Sequence, residues 1–210
     1  MFLRASTPGP GTWMVWFGTQ YVKKRVFLHT EMQYRTYRFP DNIEQVLART
    51  GIGFDHASGK AHAVAGFCFV YAEPYAADGS RFSLREYRPF QQALFRHSSG
   101  RLQFIHRLRL EQRFVSDTYS DRFRYFLSLN YLVNKNNFEK NTFYFSAYNE
   151  VFLQSRKASL FDRNRIYGAL GWVPKKGLRA ELGYMIQMLA TGSRQQLMLV
   201  LFQQMNFYKD

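Results

Sequence analysis

Arginine and glutamate recur in this sequence at positions of one parity within alternating stretches. A guanidinium set beside a carboxylate or phosphate does one kind of chemistry, charge-assisted and often bidentate hydrogen bonding. Of the 29 basic residues nine are Lys and 20 are Arg, and the formal net charge is +14. Twelve arginines (Arg35, Arg49, Arg88, Arg96, Arg107, Arg109, Arg113, Arg122, Arg124, Arg163, Arg165 and Arg179) and five glutamates (Glu31, Glu86, Glu111, Glu150 and Glu181) hold the polar parity of their segments. Their excess of seven positive charges attracts anions. In a narrow, poorly hydrated interior an unpaired charge costs several kcal/mol, so each Glu is expected to pair with Arg on a neighbouring strand. The preferred reading is a structural plug of cross-linked side chains. A passive anion-selective channel, or a site for a small anionic ligand, is the alternative.

Other chemistry finds less support. The five histidines, His29, His56, His62, His97 and His106, lack the spacing of metal ligands. No metal and no cofactor are expected. His29 with Glu31, and His106 with Glu111, imitate a base and its orienter, and outer-membrane lipid hydrolases work with Ser and His. Both pairs read better as wall residues, so no enzyme activity is expected, with a lipid hydrolase the lesser alternative. Gly51-Ile52-Gly53 lacks the third glycine and following helix of a nucleotide loop and suits a strand bend instead, as do Gly168 and Gly171. Cys68, the one cysteine, excludes an intramolecular disulfide.

The elements that position these side chains are strands. From Leu102 to Ser116, Leu102, Phe104, Leu108, Leu110 and Phe114 are even, whereas Gln103, Arg107, Arg109, Glu111 and Arg113 are odd. A helix would scatter them around its axis. From Arg122 to Val133, Phe123, Tyr125, Leu127, Leu129 and Tyr131 oppose Arg122, Arg124, Ser128 and Asn130 in the same way. Further alternation runs over 12–21, 25–37, 42–54, 61–72, 83–95, 142–153, 163–173, 178–189 and 195–207, separated by turn-forming segments. This predicts 11 strands, longer than the 5 to 6 residues usual in soluble proteins. Residues 1–11 form an N-terminal extension and 12–210 one β domain.

Alternation alone does not say which face is buried. A soluble lipocalin-like barrel or sandwich would keep Phe, Leu and Tyr inside; a membrane barrel would turn them to lipid and enclose the charges. Strand length favours the membrane barrel. Aromatics near strand ends (Trp13, Tyr37, Tyr71, Tyr87, Trp172, Phe207 and Tyr208) suit interfacial girdles, and the connections alternate between short and long as turns and loops on opposite sides would. The apolar runs Ala63 to Ala72 and Leu197 to Phe202 are too short for a spanning helix. Met1 to Gly11, broken by Pro8 and Pro10, does not read as a secretory leader, so either the protein is not exported or its leader precedes this numbering.

Five segments in order carry a resemblance: Glu86-Tyr87-Arg88, His106 to Phe114, Tyr148 to Phe152, Asn164 to Tyr167 and Glu181 to Gln187. Together they resemble domain-of-unknown-function family 2490, uncharacterised outer-membrane proteins of Bacteroidetes, over Trp13 to Phe207. The resemblance implies an outer-membrane β-barrel and no activity. The expected fold is all-β, an antiparallel up-and-down transmembrane β-barrel of 10 to 12 strands with an Arg/Glu-rich interior; single-chain bacterial barrels have even strand numbers, so a count of eleven predicts a short strand missed, a strand that is split, or Thr12 to Tyr21 lying outside the barrel. Its expected role is structural or interaction-mediating, with outer-membrane lipid, lipopolysaccharide and a protein of that membrane as partners. Lys23, Lys24, Lys135, Lys140, Lys157, Lys175 and Lys176 suit phosphate-bearing head groups at an exterior rim. A pI near 10.0 invites nucleic acid, but arginines spread over most strands and mixed with Glu form no basic patch, and no nucleic acid is expected.

Overall fold

Long strands expose two rows of backbone donors and acceptors, and closing the sheet on itself satisfies both. The computed structural model describes residues 10–155 and 159–208, in which β1 (Gly11–Lys23), β2 (Val26–Thr36), β3 (Ile43–Asp55), β4 (Ala61–Ala72), β5 (Leu84–Ser99), β6 (Leu102–Val115), β7 (Thr118–Leu132), β8 (Thr142–Gln154), β9 (Phe161–Lys175), β10 (Leu178–Leu189) and β11 (Gly192–Asn206) follow one another. They form a closed barrel in chain order. β1 begins at Gly11, inside the segment read as an extension; the rest of that segment, 1–9, lies outside the described residues.

Sequential neighbours pair antiparallel, but β1 and β11 run the same way and pair in parallel, from Gly11↔Gln196 to Tyr21↔Asn206. The expectation of an even strand count is thereby corrected. A parallel ladder also satisfies both edges, so an odd number closes as well as an even one. β1 therefore starts at one end of the barrel, here the N rim, and β11 finishes at the other, the C rim. The N rim carries the connections 37–42, 73–83, 116–117 and 190–191 and the ends of β8 and β9 that follow each other in the chain, and the C rim carries 24–25, 56–60, 100–101, 133–141 and 176–177. Each rim holds short and long connections, so the expected asymmetry of turns and loops is absent. The two-residue turns 100–101 and 176–177 place Gly100 at φ 57° and Gly177 at φ 78°, a region that side chains with a Cβ disfavour.

The pleat then sorts the faces. On β6, Leu108 and Leu110 are 38% and 42% exposed while Arg109 and Glu111 between and beside them are 2% and 0% exposed. On β7, Phe123, Leu127 and Leu129 are exposed and Arg122 and Arg124 are buried. Apolar side chains thus face outward and charges inward, the reverse of a lipocalin-like interior. Phe104 shares the outward parity and is half-buried because it stacks on His97 of β5, with centroids 4.6 Å apart.

Two aromatics assigned to girdles are interior instead. Trp13 is 2% and Tyr37 is 8% exposed, whereas Tyr87, Trp172 and Phe207 do face outward. On β1 both parities are apolar, Trp13, Val15 and Phe17 against Met14 and Trp16, so the pattern cannot choose a face. Register with β2 decides it: Trp13 lies beside inward Arg35, whose guanidinium sits 3.7 Å over the indole.

Candidate functional site: a charged septum between two cavities

Following the inward residues of each strand from the N rim to the C rim shows a change of composition. β6 reads Arg113, Glu111, Arg109, Arg107, Ile105, Gln103, and β7 reads Arg122, Arg124, Phe126, Ser128, Asn130. β9 reads Arg163, Arg165, Tyr167, Ala169, and β11 reads Gln196, Met198, Val200, Phe202. On these four strands charges gather in the N-rim half, and uncharged, largely aromatic and aliphatic side chains in the C-rim half.

The charged half is a connected network. Glu111, fully buried, accepts hydrogen bonds from Arg124 on β7 at 2.6 Å and Arg49 on β3 at 3.3 Å, with Arg109 and Arg122 at 3.7 and 3.9 Å. Glu150 accepts from Arg107 at 2.7 Å and from Arg124 Nη2 at 2.7 Å, and Arg165 lies 3.6 Å away. Arg124 therefore ties β6 to β8. Glu86 accepts a bidentate pair from Arg88, both at 2.7 Å, and a further pair from Arg113. Glu31 pairs with Arg49 and lies 4.0 Å from Arg109. Asp162, beside a register shift in β9, takes Arg122 at 3.0 Å and Arg163 at 3.2 Å. Sequence reading missed Asp162 because a bulge breaks the parity that points to the lumen.

The remaining predicted residues depart from carboxylate pairing. Arg35 bonds Gln33 and stacks on Trp13. Arg179 lies over Phe138 and Phe202, at 4.5 and 4.6 Å. Arg96 sits exposed at the C rim beside His62 at 3.2 Å. Glu181, expected to pair with Arg, instead accepts hydrogen bonds from Tyr144 at 3.0 Å and Tyr167 at 2.9 Å. Glycine makes that possible: the Tyr144 ring lies where a Cβ on Gly171 would be, and Tyr167 lies likewise over Gly183. Gly171 thus seats a ring and is no strand bend. His29 comes within 3.9 Å of Glu31, but His106 faces outward and never meets Glu111. Among the described residues no group of three or more His, Cys, Asp or Glu is placed to hold a metal ion.

Ten arginines (Arg35, Arg49, Arg88, Arg107, Arg109, Arg113, Arg122, Arg124, Arg163 and Arg165) face five acids (Glu31, Glu86, Glu111, Glu150 and Asp162) in this network, an excess of five positive charges, and Arg194, bonded to Glu44 at 2.6 and 3.0 Å, adds a balanced pair at the N rim. The lumen is not filled uniformly. A cavity of about 120 Å³ lies toward the N rim among Arg35, Arg88, Arg113, Arg122 and Glu86, and a chamber of about 480 Å³ lies toward the C rim. Glu31, Gln33, Arg124 and Arg165 line both and form a septum between them.

The model of a family described as protein of unknown function (DUF2490) matches residues 10–198, the whole run of strands from β1 into β11. The chain belongs to this family. Neither a curated protein nor a solved structure matches it.

In this DUF2490 barrel the ends differ in charge. Every lysine among the described residues, Lys23, Lys24, Lys60, Lys135, Lys140, Lys175 and Lys176, stands at the C rim, joined there by Arg25 and Arg101. Asp41, Glu73, Asp78, Asp117 and Asp121 gather at the N rim. Lys157 of the predicted rim lies outside the described residues.

Proposed function

We propose that this DUF2490 protein is an outer-membrane β-barrel of Bacteroidetes type, closed by its Arg/Glu septum, with a structural or interaction-mediating role and no enzymatic one. The observation that carries the reading is the inverted distribution of side chains: an apolar exterior on every strand around a charged interior. Soluble monomers rarely expose apolar patches beyond a few hundred Å². Outward polar side chains support it further, because they bond one another, as groups facing lipid must. Asn149 donates to Asn164 at 2.8 Å and Gln112 to Gln91 at 3.1 Å. Outer-membrane lipid and lipopolysaccharide phosphates suit the basic C rim, a protein of the same membrane is the other partner, and arginines turned into a lumen offer nucleic acid no surface.

Two measurements test the location. Fractionated cells should hold the protein in the outer membrane; recovery in the soluble fraction would refute the reading. In a bilayer, Leu199→Arg at the middle of β11 should destabilise by about 2–4 kcal/mol and Phe207→Arg beyond its end by no more than about 1 kcal/mol. Equal effects at both depths would also count against it.

A second reading, a bound small anion, is favoured by the N-rim cavity. Its lining holds eight arginines against Glu31 and Glu86. Buried charge of one sign calls for a counter-ion. Phosphate should raise the unfolding midpoint saturably at constant ionic strength, and a midpoint equal to that in chloride would remove this reading.

A further inference from the structure

The C-rim chamber has walls unlike those of the N-rim cavity. Phe17, Phe126, Tyr148, Met198 and Val200 supply apolar surface, and about 480 Å³ falls within the range of roughly 300–1,000 Å³ typical of small-molecule pockets. A bare inorganic anion would leave those walls wet. The charged lining is nevertheless positive: Arg96, Arg107, Arg109, Arg124, Arg165 and Arg179 against Glu31, Glu150 and Glu181, an excess of three. Three buried nitrogens of residues lining the chamber, Arg107 Nε, His29 Nε2 and Trp13 Nε1, have no hydrogen-bond partner among the described residues. A buried donor left unpaired costs free energy that a ligand acceptor would recover. Finally, the chamber lies at the end of the barrel that carries all the described lysines, a ring that concentrates anions before they enter.

We propose that the C-rim chamber binds an amphiphile of one apolar chain and one anionic end, the anionic end lodged against Arg107 and the chain running along Phe17, Phe126 and Val200 toward the C rim. The septum supplies the floor, so the proposal rests on a closed lumen but not on the cellular location. Either a free fatty acid or a lysolipid-type phosphate has this chemistry. The ion pair of Arg107 with Glu150 holds the guanidinium in place without using Nε, which leaves that donor for the ligand.

Trp13 lines the chamber, whereas Trp16 and Trp172 lie on the outward parity. A variant with Trp16→Phe and Trp172→Phe therefore reports on the interior alone. In phosphatidylcholine nanodiscs, 2-bromodecanoate should quench this fluorescence saturably and more strongly than 10-bromodecanoate, since the head goes deepest. Excess decanoate or decyl phosphate should reverse the quenching and decyltrimethylammonium should not, and the more effective of the two anions identifies the head group. Arg107→Gln should raise the half-saturating concentration about tenfold, and Val200→Phe, which fills the chamber, should abolish saturation while heat-modified gel mobility stays that of a folded barrel. Linear quenching equal for the two isomers, or saturation unchanged by Val200→Phe, would overturn the proposal. Conductance on the same preparation separates the cases: a conducting barrel disproves the septum, whereas a closed barrel that shows no saturable quenching disproves only the chamber ligand.

Discussion

Glu111→Ala is expected to destabilise the folded barrel by about 3–5 kcal/mol, the cost of removing one partner from a buried ion pair. Glu111 is fully buried and has four guanidiniums within 4 Å: Arg124, Arg49, Arg109 and Arg122. With the carboxylate gone, ten arginines face four acids and the four cations nearest the gap repel one another without solvent screening. Glu111→Gln keeps the shape and an acceptor but loses the charge, so it separates packing from electrostatics and should still lower the urea midpoint read from heat-modified gel mobility. Glu139→Ala serves as the contrast. Its carboxylate is 60% exposed and 3.7 Å from Lys135, an arrangement worth no more than about 1 kcal/mol. An unchanged midpoint and folding yield for Glu111→Gln would mean that the septum contributes little.

How far such a network can be read from sequence depends on what each strand offers. β6 and β7 declare both their state and their inward face, because every arginine on them falls on one parity and nearly every large apolar residue on the other. All eleven alternating segments correspond to strands, and the doubt cast on the count came from a rule about parity of strand number that the parallel β1–β11 seam does not obey. Where both parities are apolar, as on β1, the pattern is silent, and a place near a strand end, which suits Trp13 to a girdle, does not choose its face. Pairing is legible only when the partners are sequential neighbours: Glu111 with Arg124 follows from adjacent strands, whereas Arg49 reaching Glu111 crosses from β3 to β6. Glu181 among tyrosines depends on two glycines of other positions making room for rings, a relation between strands that no single segment contains. The division into two cavities is of the same kind. It depends on where the charged level of each strand falls once the shear of the barrel is set.

Purified protein in planar bilayers should show negligible conductance. Eleven strands fall between filled barrels of about 8 and open porins of about 16 to 18, so strand number leaves the question open and the side chains must decide. The two cavities share the walls Glu31, Gln33, Arg124 and Arg165, and Arg109, donating to Gln92 at 2.9 Å within 4 Å of both Glu31 and Glu111, packs the level between them. A permeating ion would have to displace paired, buried side chains whose separation costs several kcal/mol per ion. Replacing Arg107 and Arg109 together by Ser removes two long side chains from the chamber side of that level. The expected result is a leak, and its selectivity follows from the charges that remain: eight arginines against five acids still favour anions. The double variant must keep the heat-modified mobility of a folded barrel for the leak to count. Stable anion-selective steps from the unmodified protein would reverse the ranking and make conduction, with the arginines as its selectivity filter, the primary activity of this barrel.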